Sequence, residues 1–500
     1  MDFIRNFPFF SIIVCMFSGI LSSVLSGKKA RNLCFGAVGI VTVLSACVLF
    51  YTVQIDGSFT YMMGHFPAPW GNEIRAGILE GVLATTFSIV LLLSLVSAYH
   101  RTEEDIEGTK LNLFYLLIDL LLSSLLAIIY TNDLFTAYVF VEINTIAACG
   151  LIMIRQIGRT FGAAIKYMVM SLVGSGLFLI GLSLLYTLTG QLLMSPAKEA
   201  LGQIIATDSY HMPVLVVLVL MSIGLAIKSG LYPFHSWMPD AYGYSTASAS
   251  AVLSGLVSKA YIVLLVKVFY RVVGIDFIVQ SEMMNVLFVF GLVGMIMGSV
   301  SAILEKDIRR MIAFSSVAQI GYIYMGIGLG IEQGYVAAVY HILHHAATKA
   351  LLFISVVGLS NVSGGSKLFP DLRGAGYRHK VAGIAFAVGS FSMVGLPMFS
   401  GFISKYLFAT AAMAASPKKV YLTLIVLAIS TILNAIYFIH TVVTIYTPVE
   451  EENSEHESRH WKEKPWVTVT LFIFIALNFI LGVYSQSVVN LITRGLQMFG

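Results

Sequence analysis

Residues 228–234 read Lys228-Ser229-Gly230-Leu231-Tyr232-Pro233-Phe234, at the end of an apolar run, 212–230, that is about 20 residues long. A run of that length crosses a hydrocarbon core about 30 Å thick as a helix. Proline removes a backbone donor, so this helix breaks at membrane depth with a lysine beside the break. Residues 395–401, Gly395-Leu396-Pro397-Met398-Phe399-Ser400-Gly401, repeat the arrangement. Lys228 lies five residues before Pro233 and Lys405 eight after Pro397, and each proline is followed by Phe and Ser within three residues. Unwound backbone at that depth survives only where it lines protein or a wet cavity, and paired breaks point to a transporter built from repeats. Two unrelated proline kinks are the plainer alternative.

Working outward from the breaks, about fourteen apolar runs of about 20 residues fill the chain, from 8–26 to 466–489. The expected fold is an all-α membrane protein, a single polytopic domain over residues 1–500. The breaks fall in the seventh and twelfth spans, 212–230 and 381–412. An offset of five helices inverts the second unit relative to the first. Two inverted five-helix repeats are therefore expected, at 111–270 and 283–446, followed by a C-terminal transmembrane helix at 466–489. A short amphipathic piece near 196–208 is expected at the outer interface.

Composition supports lipid as the solvent. Hydrophobic residues make up 58% and charged ones 11%, about half the charge of a soluble domain. No connection is long enough for a soluble domain, so nucleotide or redox chemistry would sit on another polypeptide. The net charge of +4 is too small and dispersed to suggest nucleic acid. Cys15, Cys34, Cys47 and Cys149 are scattered without CxxC spacing and read as small core residues, so neither a metal cluster nor a disulfide framework is expected. The first run lacks a small-residue cleavage site and is followed by Lys28-Lys29-Ala30-Arg31, which reads as a retained first span. With the N-terminus outside, roughly 17 Lys and Arg fall on cytoplasmic connections against roughly 7 opposite, placing both termini on the outer side of a cell membrane. Lys418-Lys419 is the main exception. The stretch Glu450 to Lys464 reads as a solvated cytoplasmic loop.

Some charges the loops cannot absorb. Six of the 30 basic residues, Lys166, Lys228, Lys259, Lys267, Lys349 and Lys405, lie inside or at the ends of apolar runs, joined by Glu80, Asp119 and Glu142. A charge at the bilayer midplane costs at least roughly 2.5–3.5 kcal/mol, so such residues face a bundle interior, pair, and serve transport. Snorkelling to the headgroups is the bland reading, expected for Lys267 and reasonable for Lys166 and Glu80. It fails for Lys228, Lys259 and Lys349, which have apolar sequence on both sides. If Glu142 approaches Lys228, the pair holds a proton on the amine, and separating them releases it to the next acceptor.

His341, His345 and Lys349 share one helical face by their i, i+4, i+8 spacing, with about 6 Å of rise between neighbours. Imidazole accepts at one ring nitrogen and donates from the other, so this face can relay protons. His344 lies about a quarter turn away and is left out. A metal shared by the two histidines is the competing reading, but no carboxylate on that helix completes a site.

Three segments resemble a known family. They are Tyr232-Pro233-Phe234-His235-Ser236-Trp237-Met238-Pro239-Asp240-Ala241, Lys306-Asp307-Ile308-Arg309-Arg310-Met311-Ile312-Ala313-Phe314-Ser315-Ser316, and His344-His345-Ala346-Ala347-Thr348-Lys349-Ala350-Leu351-Leu352-Phe353. They look like the antiporter-like subunits shared by respiratory complex I, membrane-bound hydrogenases and Mrp-type sodium/proton antiporters. The likeness runs from about residue 70 to about 410. It implies that Glu142 is the acid of the fifth helix, Lys228 its partner on the broken seventh, Lys259 the central lysine of the eighth, and Lys405 the terminal group on the broken twelfth. His341, His345 and Lys349 would join them into a polar axis along the membrane plane. Gly64-His65-Phe66-Pro67-Ala68-Pro69-Trp70-Gly71 and the single Lys405 look most like the D-type Mrp component or its hydrogenase relatives. Ser245 to Leu253 departs from the family, which has a proline-bearing stretch there, so the entry to the eighth helix is expected to differ. The resemblance gives Asp119 no role; a second acid near Glu142 and a satisfied polar contact are both open.

The function expected is that of a proton-translocating subunit of a multi-subunit membrane complex, moving H+, with Na+ exchange and redox-driven pumping both open. Its expected partners are other membrane subunits and the bilayer, and no cofactor is expected. It has no catalytic centre of its own. A standalone carrier of a small organic solute is the alternative, but the polar residues are spread along many helices. An inert scaffold would leave the buried charges without a purpose.

Overall fold

The computed structural model describes residues 2–66, 71–206, 211–448 and 464–499. Among them, thirteen helices are long and apolar enough to cross a membrane. The chain is a multi-pass membrane protein. The twelfth expected span, 381–412, is divided at its proline into two shorter helices, neither long enough to cross alone.

In chain order the elements are α1 Phe7–Val24, α2 Gly27–Gln54, β1 Phe59–Met62, β2 Glu73–Ala76, α3 Ile78–Asp105, α4 Leu111–Tyr130, α5 Leu134–Met153, α6 Gly158–Thr189, α7 Met194–Ala206 and α8 His211–Ser229. The short α9, Met238–Tyr244, follows the first break, and then comes α10, Ala247–Val273. The second half holds α11 Met283–Leu304, α12 Ile308–Gly328, α13 Glu332–Asn361, the half-helices α14 Lys380–Val394 and α15 Ser400–Met413, α16 Pro417–Ile445, α17 Pro465–Val483 and α18 Ser485–Gln497.

Burial separates the middle of the bundle from its rim. All of the apolar window of α10 is buried, 94% of that of α12 and 89% of that of α13, against 28% for α17. The three helices that carry Lys259, the serines beside it and the histidines are thus surrounded by other helices, and the rim helices turn apolar side chains outward as lipid demands. Close approaches need small residues. A Cβ on Gly224 of α8 would stand 2.6 Å from the Gly174 carbonyl of α6, so these glycines let the two backbones touch beside Lys228.

Four features differ from expectation. The all-α fold carries one short hairpin that the sequence does not announce: β1 and β2 pair antiparallel, with Phe59 opposite Ala76, in a connection too polar and short for a span. The C-terminal helix stops at Val483 rather than 489, and α18 is a separate amphipathic helix after Tyr484 that buries Ile492, Gly495 and Leu496. Lys267 and Glu80 do not snorkel. Glu80 is buried and pairs with Arg271 of α10 at 2.5 Å, and the Lys267 ammonium donates to the carbonyls of Ile128 (3.0 Å), Ile129 and Thr131 (2.9 Å). Those carbonyls belong to the last turn of α4 and the residue after it, which lack intrahelical partners and so offer a cation natural acceptors. Lys166 is largely exposed and pairs with Asp240 at 2.5 Å. The amphipathic piece expected at 196–208 is α7, described to Ala206. Pro67 to Trp70 and the acidic stretch from Glu450 to Arg459 lie outside the described residues.

Candidate functional site

α8 stops at Ser229 because Gly230 takes a left-handed φ of +79° and Pro233 follows. Lys228 therefore occupies the last turn, where the unpaired carbonyls of a helix end favour a cation. α5 faces it. Glu142 Oε1 stands 3.6 Å from the Lys228 ammonium, and Thr145, one turn on, accepts its hydrogen bond at 2.5 Å. The expected pair exists, as an ion pair longer than a hydrogen bond. The ammonium also lies 5.7 Å from the ring centre of Tyr261, whose hydroxyl donates to Asn144 at 2.9 Å.

Lys259 lies two residues before Tyr261 on the same helix. α10 contains a π-helical turn, Leu253–Val257, just before Lys259. A π turn displaces the regular i to i−4 ladder, and the Lys259 ammonium donates to the Ser254 carbonyl five residues back. Ser254 Oγ meets Ser316 Oγ of α12 at 2.9 Å, and Ser316 donates to the Ile312 carbonyl at 3.1 Å. That carbonyl also accepts from Lys349 of α13 at 2.9 Å, and Lys349 donates to Ser315 as well. A string of polar groups thus joins the two buried ammonium groups.

His341, His345 and Lys349 share a face of α13 as their spacing requires. The rings of His341 and His345 are 6.0 Å apart, and neither nitrogen of His345 has a hydrogen-bond partner among the described residues. His341 Nδ1 meets Ser404 Oγ of α15 at 2.7 Å, and its ring stacks on Tyr322 at 5.5 Å. The Lys405 ammonium sits 6.0 Å from the same Tyr322 ring. It donates to the Val394 carbonyl at 2.6 Å and to Thr431 at 3.0 Å. Val394 ends α14, just before Gly395 and Pro397. The second broken helix thus places a carbonyl at its lysine, whereas Lys228 is held by side chains of α5.

Sequence reasoning sets His344 aside, yet its ring is 5.4 Å from His341 and its Nδ1 meets Ser400 Oγ at 2.8 Å. The first residue of α15 comes round to the flank where His344 points. Asn478 of α17 escapes sequence reasoning as well: its Oδ1 accepts from Thr348 at 2.7 Å, Ser392 at 3.0 Å and Ser400 at 3.2 Å. A lone Asn inside an apolar span is the signal that could have found it. Asp119 is a polar contact for one oxygen, accepting from Ser18 at 2.6 Å, while Oδ1 is buried without a partner among the described residues.

All seven sequence-predicted residues fall along this course, but the links differ in kind. Lys228 stands over the Tyr261 ring, Lys259 and Lys349 are connected by hydrogen bonds that change atoms at Ser254, from its carbonyl to its hydroxyl, and Lys405 shares the Tyr322 ring with His341. Of the seven, four are lysines and one, Glu142, is a carboxylate, which pairs with Lys228.

The family model described as NADH:quinone oxidoreductase/Mrp antiporter, TM, matches residues 131–433, which include every one of these groups. The chain belongs to this family. Among members of this antiporter family, it is 31% identical over 448 residues to NADH-quinone oxidoreductase subunit N of Desulforudis audaxviator, covering 88% of this chain and 86% of that one. It is 26% identical over 392 residues to the D-type component of the Na(+)/H(+) antiporter of Alkalihalophilus pseudofirmus, covering 78% and 76%. A chain of the membrane-bound sulfane sulfur reductase, an archaeal respiratory membrane complex, shares its fold with a TM-score of 0.87 at 24% identity, over 100% of this chain and 98% of that one. The relatives are subunits of multi-subunit membrane complexes.

Proposed function

We propose that the chain is the proton-translocating, antiporter-like subunit of a multi-subunit membrane complex and that protons move along Glu142, Lys228, Lys259, Lys349, His345, His341 and Lys405. The single observation that carries this reading is the bonding of Lys259 and Lys349 through Ser254, Ser316 and the Ile312 carbonyl. Two desolvated amines separated by two carbonyls and two hydroxyls compete for protons, so a proton arriving at one favours departure from the other.

The breaks supply the ends of the route. The Val394 carbonyl at the end of α14 holds Lys405 together with Thr431, and Glu142 with Thr145 holds Lys228. A shift of either half-helix changes how well its lysine holds a proton, which couples transfer to movement of a neighbouring subunit. Inverted repeats over 111–270 and 283–446, with both termini outside a cell membrane, give the two breaks equivalent places on opposite sides. Membrane subunits of the kind the relatives assemble with are the partners, and sodium exchange and redox drive are two sources for the same proton movement.

Vesicles holding the purified complex test this reading. Under an imposed pH gradient, wild type dissipates it and Lys228→Ala does not. Equal dissipation by an assembled Lys228→Ala complex defeats the proposal. Repeating the assay with and without sodium separates exchange from proton movement alone.

A further inference from the structure

The end of the bundle that gathers the C-termini of α3, α5 and α13 holds a second cluster of charges away from the proton route. A cavity of about 110 Å³ there is lined by Arg101, Arg155, Arg309 and Lys367, with Asp105 as the only acid on its wall and Asn361 among its polar neighbours. Arg309 is 5% exposed. Its Nη2 donates to the carbonyls of Ser245 (2.7 Å), Tyr242 (3.2 Å) and Thr246 (3.3 Å) and to Ser250 Oγ, while its Nε is buried without a hydrogen-bond partner among the described residues. The Nε of Arg155 is in the same state.

Asp105 does not neutralise this wall. Its Oδ1 is shared between Arg155 Nη2 at 3.3 Å and Arg101 Nε at 3.4 Å. Asp307 is engaged elsewhere, accepting from the backbone N–H groups of Arg309 and Arg310 at the start of α12. Buried charges are normally paired, and a buried donor without an acceptor costs stability. Four basic side chains, with Asp105 on the wall, Glu104 outside it on Arg101 Nη1 at 3.3 Å, and two idle guanidinium N–H groups, form a preorganised cradle for an oxyanion.

We propose that this cavity binds a phosphate-type anion, carried either by an anionic lipid headgroup or by a soluble phosphate. The fork of guanidinium donors matches tetrahedral oxygens, and binding ties α3, the α5–α6 connection, α12 and the connection after α13 together at one point. Lys367 behaves as such a site requires. The Arg309 guanidinium beside it, with burial, pushes its amine down to about 7, opposed by Asp307 and Asp105 and assisted by Arg155. Below that pH the lysine is charged and adds to the cradle; above it the lysine is neutral, so affinity falls as pH rises through about 7.

The purified full complex decides this, in wild-type, Arg155→Gln and Lys367→Gln forms; Arg309 is left in place because it also holds the entry to α10. Radiolabelled inorganic phosphate is measured by equilibrium dialysis, and retention of phosphatidylglycerol over phosphatidylcholine by native mass spectrometry. Binding of inorganic phosphate supports a soluble ligand, and selective retention of phosphatidylglycerol supports a headgroup. Either must weaken by about tenfold in Arg155→Gln, and retention of phosphatidylglycerol, whose phosphodiester keeps a single charge, must also weaken on raising the pH through the Lys367 transition. Binding of neither anion, or binding unchanged in both variants, overturns the proposal. Dissipation of a pH gradient is not a readout here, so failure of this site leaves the proton route standing.

Discussion

Replacing Glu142 by Gln keeps the shape of the Lys228 pair and removes its charge. At 3.6 Å, and with an effective dielectric of about 20, the attraction is about 5 kcal/mol. About a quarter of the Glu142 side chain is open to its surroundings, 24% against 1% for Lys228, which screens this toward about 3 kcal/mol. Thr145 remains and holds the amine in place, so the loss is electrostatic rather than positional. If loading a proton onto Lys228 limits transfer, about 3 kcal/mol in the barrier slows the flux about a hundredfold. Glu142→Asp, which keeps the charge on a shorter side chain, falls between the two. A Glu142→Gln, Lys228→Met double variant is no slower than the worse single one, because both remove the same interaction. The assay is pH-dye fluorescence in vesicles holding the complex, with subunit content checked on the same sample. A Glu142→Gln flux within about threefold of wild type at equal content refutes the reasoning, since less than about 1 kcal/mol would then ride on the pair.

Glu80→Gln strips one partner from the buried Arg271 pair at 2.5 Å and lowers stability by about 3–5 kcal/mol, read as a fall in the thermal midpoint, and adding Arg271→Met recovers part of it. An unchanged midpoint for Glu80→Gln contradicts a structural pair. Asn478→Ala leaves three buried hydroxyls, Thr348, Ser392 and Ser400, without their shared acceptor and slows proton flux several-fold while Asn478→Asp retains it. Wild-type flux in Asn478→Ala shows that α17 does not position the second break.

The spans, the two breaks and the lysines beside them were legible because lipid imposes a coarse rule on sequence: a charge or a proline within an apolar run needs a reason. The partners of those charges were not. Glu80 reads as a helix-end carboxylate until α10 delivers Arg271, 191 residues away in the chain. Lys267 reads as a snorkelling amine until the last turn of α4 turns its carbonyls toward it. The helical wheel put His344 off the shared face correctly, but a wheel knows only its own helix, and α15 brings Ser400 to that flank. No periodicity announces the π turn before Lys259, because it shifts a hydrogen-bond register without changing the apolar pattern. The β1–β2 hairpin was hidden in a connection read only for its polarity.

The account stands on Lys259 as the middle of one route. Proton flux through vesicles holding an assembled Lys259→Met complex measures that directly, since methionine keeps the side chain's length in the α10 interior and carries no proton. Loss of flux to the level of protein-free vesicles, with partner subunits still bound, is the predicted result. Flux at the wild-type rate would mean that protons cross without passing the centre of the bundle, and the route from Glu142 to Lys405 would not be the path.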